Sequence, residues 1–239
     1  MNQDNFNPKI SVCIPTYEAN GKGVEFLTKN IESILSQTYK NLEIIVSDHS
    51  KNDEIQNYVT GLKKDNVKYL RYSENIGWPA HNTNNAIKHS TGDYIKLMNL
   101  DDFIQGEDSI QLMVDLLSNG SKWVISGCIH YNYETGDWTN PIIPRIEDDG
   151  KHLIKGINYV GCPSVGLIPR DEFLDPEVLY MIDCELWYRI FLKYGYPGVL
   201  KDHRIVIGIG DHTLTSQLVS KHSEWLTKDI EYCNKKFLI

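Results

Sequence analysis

From Lys9 onward the chain alternates short apolar runs with amphipathic segments. Ile10–Ile14, Leu42–Ser47 and Val67–Tyr72 are rich in Val, Ile and Leu, and between them lie Val24–Gln37 and Asp53–Lys64, where apolar residues return at helical spacing. In Val24–Gln37 the residues Val24, Leu27, Ile31, Ile34 and Leu35 share one face, while Lys22, Glu25, Lys29 and Glu32 are left to water. The pattern predicts βαβαβ, with strands apolar on both faces because helices cover a mostly parallel sheet from both sides. It continues through a short helix Ala80–His89, a strand Tyr94–Met98, an acidic turn Asn99–Asp102, a helix Ser109–Leu117 and a strand Trp123–Cys128. An α/β unit is therefore expected over 9–128.

Beyond it the periodicity weakens. Tyr131–Trp138 predicts a hairpin turning at Glu134-Thr135-Gly136-Asp137, and Pro141–Gly150 a loop that carries Glu147, Asp148 and Asp149. A strand Gly161–Ile168, a helix Asp183–Tyr194, a strand Arg204–Ile209 and an amphipathic helix Leu218–Phe237 follow. No Gly/Ser/Pro-rich spacer interrupts the apolar segments, which predicts one domain over 9–239 behind a flexible arm, 1–8. Within it a first lobe spans 9–128 and a second, smaller lobe with the C-terminal helix spans 129–239.

Composition narrows the class. The 239 residues are 41% hydrophobic, enough to bury a full core. Lys and Arg total 24 against 32 Asp and Glu, a formal charge of −8, the wrong sign for a broad nucleic-acid interface. Apolar runs stay far below the roughly 18 residues of a membrane helix, and the N-terminus lacks the basic-then-apolar order of a signal peptide. A soluble, cytoplasmic protein is expected, with at most peripheral contact at the inner membrane face through Lys221, Lys228, Lys235 and Lys236. The cysteines (Cys13, Cys128, Cys162, Cys184, Cys233) are odd in number and never form C-x-x-C, so neither a disulfide framework nor a zinc site is indicated. G-x-G-x-x-G, the P-loop and G-x-S-x-G are all absent.

What remains is a set of acids at predicted strand ends: Asp48 after Leu42–Ser47, and Asp101 and Asp102 after Tyr94–Met98. In an open parallel sheet ligands bind at that edge. Carboxylates there can accept hydrogen bonds from a base or ribose, or hold a hard divalent cation. Taken singly, Asp48 reads equally well as an Asx turn and the Asp101-Asp102 pair as solvated loop acids.

Ser11-Val12-Cys13-Ile14-Pro15-Thr16-Tyr17, Ile34-Leu35-Ser36-Gln37-Thr38, Leu42-Glu43-Ile44-Ile45-Val46-Ser47-Asp48, Asn75-Ile76-Gly77, Gly92-Asp93-Tyr94-Ile95 and Asn99-Leu100-Asp101-Asp102 follow one another in this order. In that order they resemble the inverting family 2 glycosyltransferases of the GT-A fold, over most of 9–195. The resemblance implies a nucleotide-diphospho-sugar donor, UDP-linked by expectation, and a carbohydrate or lipid-linked acceptor. Pro15, Thr16 and Tyr17 would hold the nucleobase, Tyr17 by stacking, and Asp48 would accept its ring N–H. Asp102 would bind Mn²⁺ or Mg²⁺ at the diphosphate, helped by His212, and Asp101 would reach the ribose or a sugar hydroxyl. Asn99 stands where the family often has a third acid. His81 stands where relatives often place an Arg near the donor, although a neutral imidazole cannot neutralise phosphate as a guanidinium does. In Ile182-Asp183-Cys184-Glu185-Leu186-Trp187-Tyr188-Arg189, Asp183 matches the catalytic base and Glu185 is the backup; capping of the helix is the plainer role for Asp183. Two other readings stay open: a nucleotidyltransferase of similar fold, and a module that binds nucleotide-sugar without turnover.

Overall fold

The computed structural model describes residues 6–213, 216 and 222–238. The chain runs through β1 (Ile10–Thr16), α1 (Gly23–Leu35), β2 (Leu42–Asp48), α2 (Glu54–Gly61), β3 (Val67–Arg71), α3 (Pro79–Lys88), β4 (Tyr94–Leu97), β5 (Phe103–Ile104) and α4 (Ser109–Ser118). After it come β6 (Val124–Asn132), β7 (Trp138–Ile142), α5 (Lys151–Ile154), β8 (Gly166–Pro169), α6 (Ile182–Tyr194), β9 (Gly198–Ile209) and α7 (His222–Phe237).

The strands form one mixed sheet in the order β3-β2-β1-β4-β8-β6-β9-β5, with β7 paired to β6. The strands β3, β2, β1 and β4 are parallel. β8 runs against both β4 and β6, and β6 pairs with β9 in parallel, so β6 and β9 point the same way as β1. In the parallel register Thr16 stands opposite Asp48 and Asp48 opposite Arg71, so β1, β2 and β3 end side by side. The turn after β4 and the end of β9 reach the same edge, where Gly208 of β9 lies against Asp101. A Cβ on Gly208 would fall 2.5 Å from the Asp101 carbonyl oxygen, so this approach requires glycine.

The apolar pattern of the first lobe becomes core as expected: Phe26, Leu27, Ile31 and Ile34 of α1 are buried against strands whose apolar side chains are almost all inside. The surroundings of α6 and α7 are held by different means. Trp123 and Trp187 stack with ring centroids 5.9 Å apart, and each indole N–H donates to a backbone carbonyl, of Gly195 and Gly161 respectively. Glu172 and Glu185 are buried, and they are paired with Arg189, Lys193 and Lys236. Asp229 of α7 accepts the N–H groups of Leu179, Tyr180 and Met181, which satisfies the chain entering α6. Lys228 and Lys236 of α7 are tied to Glu224, and to Asp175 and Glu185, while Lys221 lies outside the described residues. Among the described residues no helix is long and apolar enough to cross a membrane.

Among the elements that differ from the sequence pattern, three have a plain physical reason. The expected strand from Gly161 begins only at Gly166, because Pro163 starts a 3₁₀ turn over Pro163–Val165 and has no N–H for a sheet ladder. β9 starts at Gly198 rather than Arg204; its first half is broken out of register with β6 around Gly127 and leaves Lys201 and Asp202 exposed, which hides the strand period. β5 is two residues long, below what periodicity can signal.

Candidate active site

The turn after β4 places its two acids in opposite environments. Asp102 is 1% exposed. Its Oδ1 accepts the Gly208 N–H at 2.9 Å, and its Oδ2 accepts the Asn99 side-chain amide at 3.0 Å, with the Cys162 thiol 3.6 Å away. Burial, and then the neighbouring Asp101 charge, raise its pKa. Close by, Lys96 is fully buried in β4; its ammonium donates to the carbonyls of Ser164 and Leu97, and burial lowers its pKa to about 7. The Ser164 hydroxyl accepts the Asn99 N–H at 2.9 Å, which completes a buried polar cluster beneath the turn.

Asp101 keeps part of its side chain in solvent and brings Oδ2 to 2.9 Å from His212 Nε2. That carboxylate, before any other group, raises the His212 pKa. Tyr17 closes the group by donating its phenol to the His212 carbonyl at 2.7 Å. Phe26 packs its ring 4.5 Å from the imidazole, and Tyr133 donates to the Asp101 carbonyl at 3.0 Å. Three distant parts of the chain, the ends of β1, β4 and β9, thus meet at Tyr17, Asp101 and His212. Of the two acids expected at the ligand, Asp101 is thus the more open and Asp102 the buried one.

Asp48 has no exposed surface. Its Oδ1 accepts the Ser50 N–H at 2.8 Å, an Asx turn, and lies 3.4 Å from the Thr16 hydroxyl; its Oδ2 accepts the Tyr69 phenol at 2.8 Å, with Arg71 at 3.6 Å. Thr16 is buried and Pro15 half-buried, while Tyr17 is 39% exposed, so the first ring past β1 is the one open to a ligand. His81, in the first turn of α3, lines a cavity of about 420 Å³ with Tyr72, Glu74, Lys88 and Phe173; Tyr17, Asp101 and His212 are not in its wall.

Asp183 sits in the first turn of α6, one residue past its first, and the helix cap is Met181. Its Oδ1 accepts the Cys184 N–H at 2.8 Å and its Oδ2 the Asn158 amide at 2.6 Å. Burial raises its pKa to about 6. It faces a cavity of about 210 Å³ lined by Gly156, Asn158, Tyr180, Met181 and Cys184. Glu185 points elsewhere, fully buried between Arg189 and Lys236.

Sequence reasoning missed Asn158, Ser164 and Gly208, which lie in stretches with no periodic signal or in a strand chosen for its apolar content. Lys96 was missed as well, although a charge inside the apolar run Tyr94–Met98 was a signal that could have found it. Among the described residues no three His, Cys, Asp or Glu side chains converge as a metal site would require. The pair of Asp101 and His212 still offers one carboxylate oxygen and one imidazole nitrogen, a donor set that suits Mn²⁺ if substrate oxygens and water supply the rest.

A mixed α/β sheet with its polar residues gathered at the strand ends is the architecture of nucleotide-sugar transferases of the GT-A type. The model of glycosyl transferase family 2 matches residues 11–174, and the chain belongs to that family. An uncharacterized glycosyltransferase of Rickettsia prowazekii is 27% identical over 222 residues, covering 87% of this chain and 65% of its own length. The putative glycosyltransferase EpsE of Bacillus subtilis is 35% identical over 206 residues, 81% of this chain and 70% of its own. Among solved structures, Staphylococcus aureus TarS in complex with UDP superposes with a TM-score of 0.69 at 15% identity, over 94% of this chain and 65% of that one. A mannosyltransferase of Pyrobaculum calidifontis in complex with GDP-Man and Mn²⁺ gives 0.68 at 16%, over 97% and 65%. These likenesses establish the GT-A fold. The chain spans about two thirds of the length of the first of these relatives.

Proposed function

We propose that the chain is a metal-dependent inverting glycosyltransferase that moves a sugar from a nucleotide-diphospho-sugar, UDP-linked by preference, to an acceptor hydroxyl in polysaccharide or glycoconjugate synthesis. The observation that carries this reading is the meeting of Tyr17, Asp101 and His212 at the strand-end edge, in a chain of this family. A relative from Campylobacter jejuni, 30% identical over 124 residues, is named as a glucosyltransferase acting on a PP-undecaprenol-linked glycan, which supports a lipid-linked acceptor.

In this reading the base stacks on the open ring of Tyr17, over a floor made rigid by Thr16 and Asp48. The diphosphate lies toward Asp101 and His212. A divalent cation held by these two side chains would supply positive charge to the departing diphosphate. Asp102, hydrogen-bonded inside, holds the turn so that Asp101 faces the ligand. Asp183 takes the proton from the acceptor hydroxyl, and a carboxylate raised to about 6 is matched to that task near neutral pH. The hydroxyl attacks from the side opposite the nucleotide, and the anomeric configuration inverts.

The test is a panel of UDP-, GDP-, dTDP- and CMP-sugars with and without Mn²⁺, read first by thermal shift and then by NMR of the transferred or hydrolysed sugar. The reading expects a metal-dependent rise in Tm with one donor and inversion at the anomeric carbon. Binding without turnover would instead favour a non-catalytic nucleotide-sugar module, and a retained anomer would exclude the single-base mechanism.

A further inference from the structure

Residues 158–164 run between the acidic turn after β4 and the start of α6, and they are bonded to both. Asn158 uses its whole amide. Its Oδ1 accepts the N–H groups of Val160 and Gly161, each at 2.9 Å, and its Nδ2 donates to the Gly161 carbonyl at 3.1 Å and to Asp183 Oδ2 at 2.6 Å. The same Gly161 carbonyl accepts the Trp187 indole N–H at 2.8 Å, so this turn is fastened to α6 at Asp183 and again one helical turn later. At the far end the Cys162 thiol reaches Asp102, the Ser164 hydroxyl accepts the Asn99 N–H, and the Ser164 carbonyl receives the buried Lys96 ammonium.

We propose that the 158–164 segment sets the placement of Asp183 relative to the Asp101-Asp102 turn, and that Asn158 is the positioning residue that aims the Asp183 carboxylate. The inference rests on reading Asp183 as the base. A free carboxylate rotates about its last bond. Here the Cys184 N–H holds one oxygen and Asn158 the other, which fixes the plane of the group and the direction of the remaining lone pairs into the cavity. Among the described residues the titratable groups facing Asp183 are the Tyr180 phenol and the Cys184 thiol, both neutral at pH 7, so its carboxylate is held there by neutral donors, the Asn158 amide among them. An amide of this length suits the position because it offers an acceptor to two turn N–H groups and a donor to the carboxylate at once. Aspartate would keep the first role and place a second negative charge against Asp183 in place of the other.

The experiment follows the Asp183 side-chain carbon by NMR in the full chain labelled with ¹³C-aspartate, the resonance being assigned by its loss in Asp183→Asn. Asn158→Ala should raise the Asp183 titration midpoint by about one unit, and Asn158→Asp should raise it further while retaining the turn acceptor. The acid limb of kcat for donor turnover should move with the midpoint, with KM for the donor nearly unchanged. A purely structural Asn158 would lower Tm and leave the midpoint where it is in the parent, and that result overturns the proposal. Where the alanine variant does not fold, an unmoved midpoint in Asn158→Asp does the same. Normal turnover by Asp183→Asn overturns the base reading itself, whatever Asn158 does to the midpoint.

Discussion

The turn after β4 and the start of α6 each present one aspartate at the border of the interior, and their neighbours give them different chemistry. Asp101 lies 2.9 Å from the His212 imidazole, which it makes more basic. Asp183 lies among an amide, a thiol and a phenol, with no cation beside it among the described residues, and burial lifts it to about 6. In the proposed reading the same residue type would face the donor diphosphate in one place and take a proton in the other. The difference is set by what the fold packs against each carboxylate rather than by the carboxylate.

The sharpest way to break this contrast is Asp183→Asn, which removes the base and keeps the size. It should lower kcat by roughly 10²–10⁴ and leave nucleotide affinity near that of the parent in calorimetry. A parallel loss of UDP affinity would mean that the two regions are not separate in function.

Next comes the scaffold of the second region. Trp187→Ala removes a ring that is fully buried, stacked on Trp123 and hydrogen-bonded to Gly161, and should cost about 3–5 kcal/mol in urea unfolding. A loss below 1 kcal/mol would show that α6 is not seated by this stack.

A smaller effect follows from protonation. Asp183 in the folded chain holds its proton up to about 6, above the ordinary 3.8, so the folded state binds more protons than the unfolded one between these values. Stability from this group is present at low pH and is lost as pH rises through about 6. The stability of the parent relative to Asp183→Asn should therefore fall by about 1–3 kcal/mol between pH 4 and pH 7. A flat difference across that window would place Asp183 in water.

The parallel half of the sheet was legible because its information is local. Val, Ile and Leu at positions such as Val12, Ile44 and Val46 announce strands buried on both faces, and Leu27, Ile31 and Ile34 announce the helix that covers them. The acids at the strand ends were legible for the same reason. Which of Asp101 and Asp102 turns inward was not, because the decision is made by the N–H of Gly208, 106 residues away. Asp183 could be placed at a helix start from its own segment. Its partner Asn158 could not, since that residue lies in a non-periodic stretch and its bond spans 25 residues. The long β9 was half hidden because its first residues alternate poorly and its register with β6 is broken near Gly127.

The central claim is that the ligand-facing acid is Asp101 with His212, and that Asp102 supports it from inside. Calorimetric titration of UDP with and without Mn²⁺ into Asp101→Asn and Asp102→Asn tests it most directly. The account predicts that Asp101→Asn loses the Mn²⁺-dependent part of the affinity, whereas Asp102→Asn keeps it and shows its defect as a lowered Tm. Loss of the Mn²⁺ dependence in Asp102→Asn together with its retention in Asp101→Asn would contradict it.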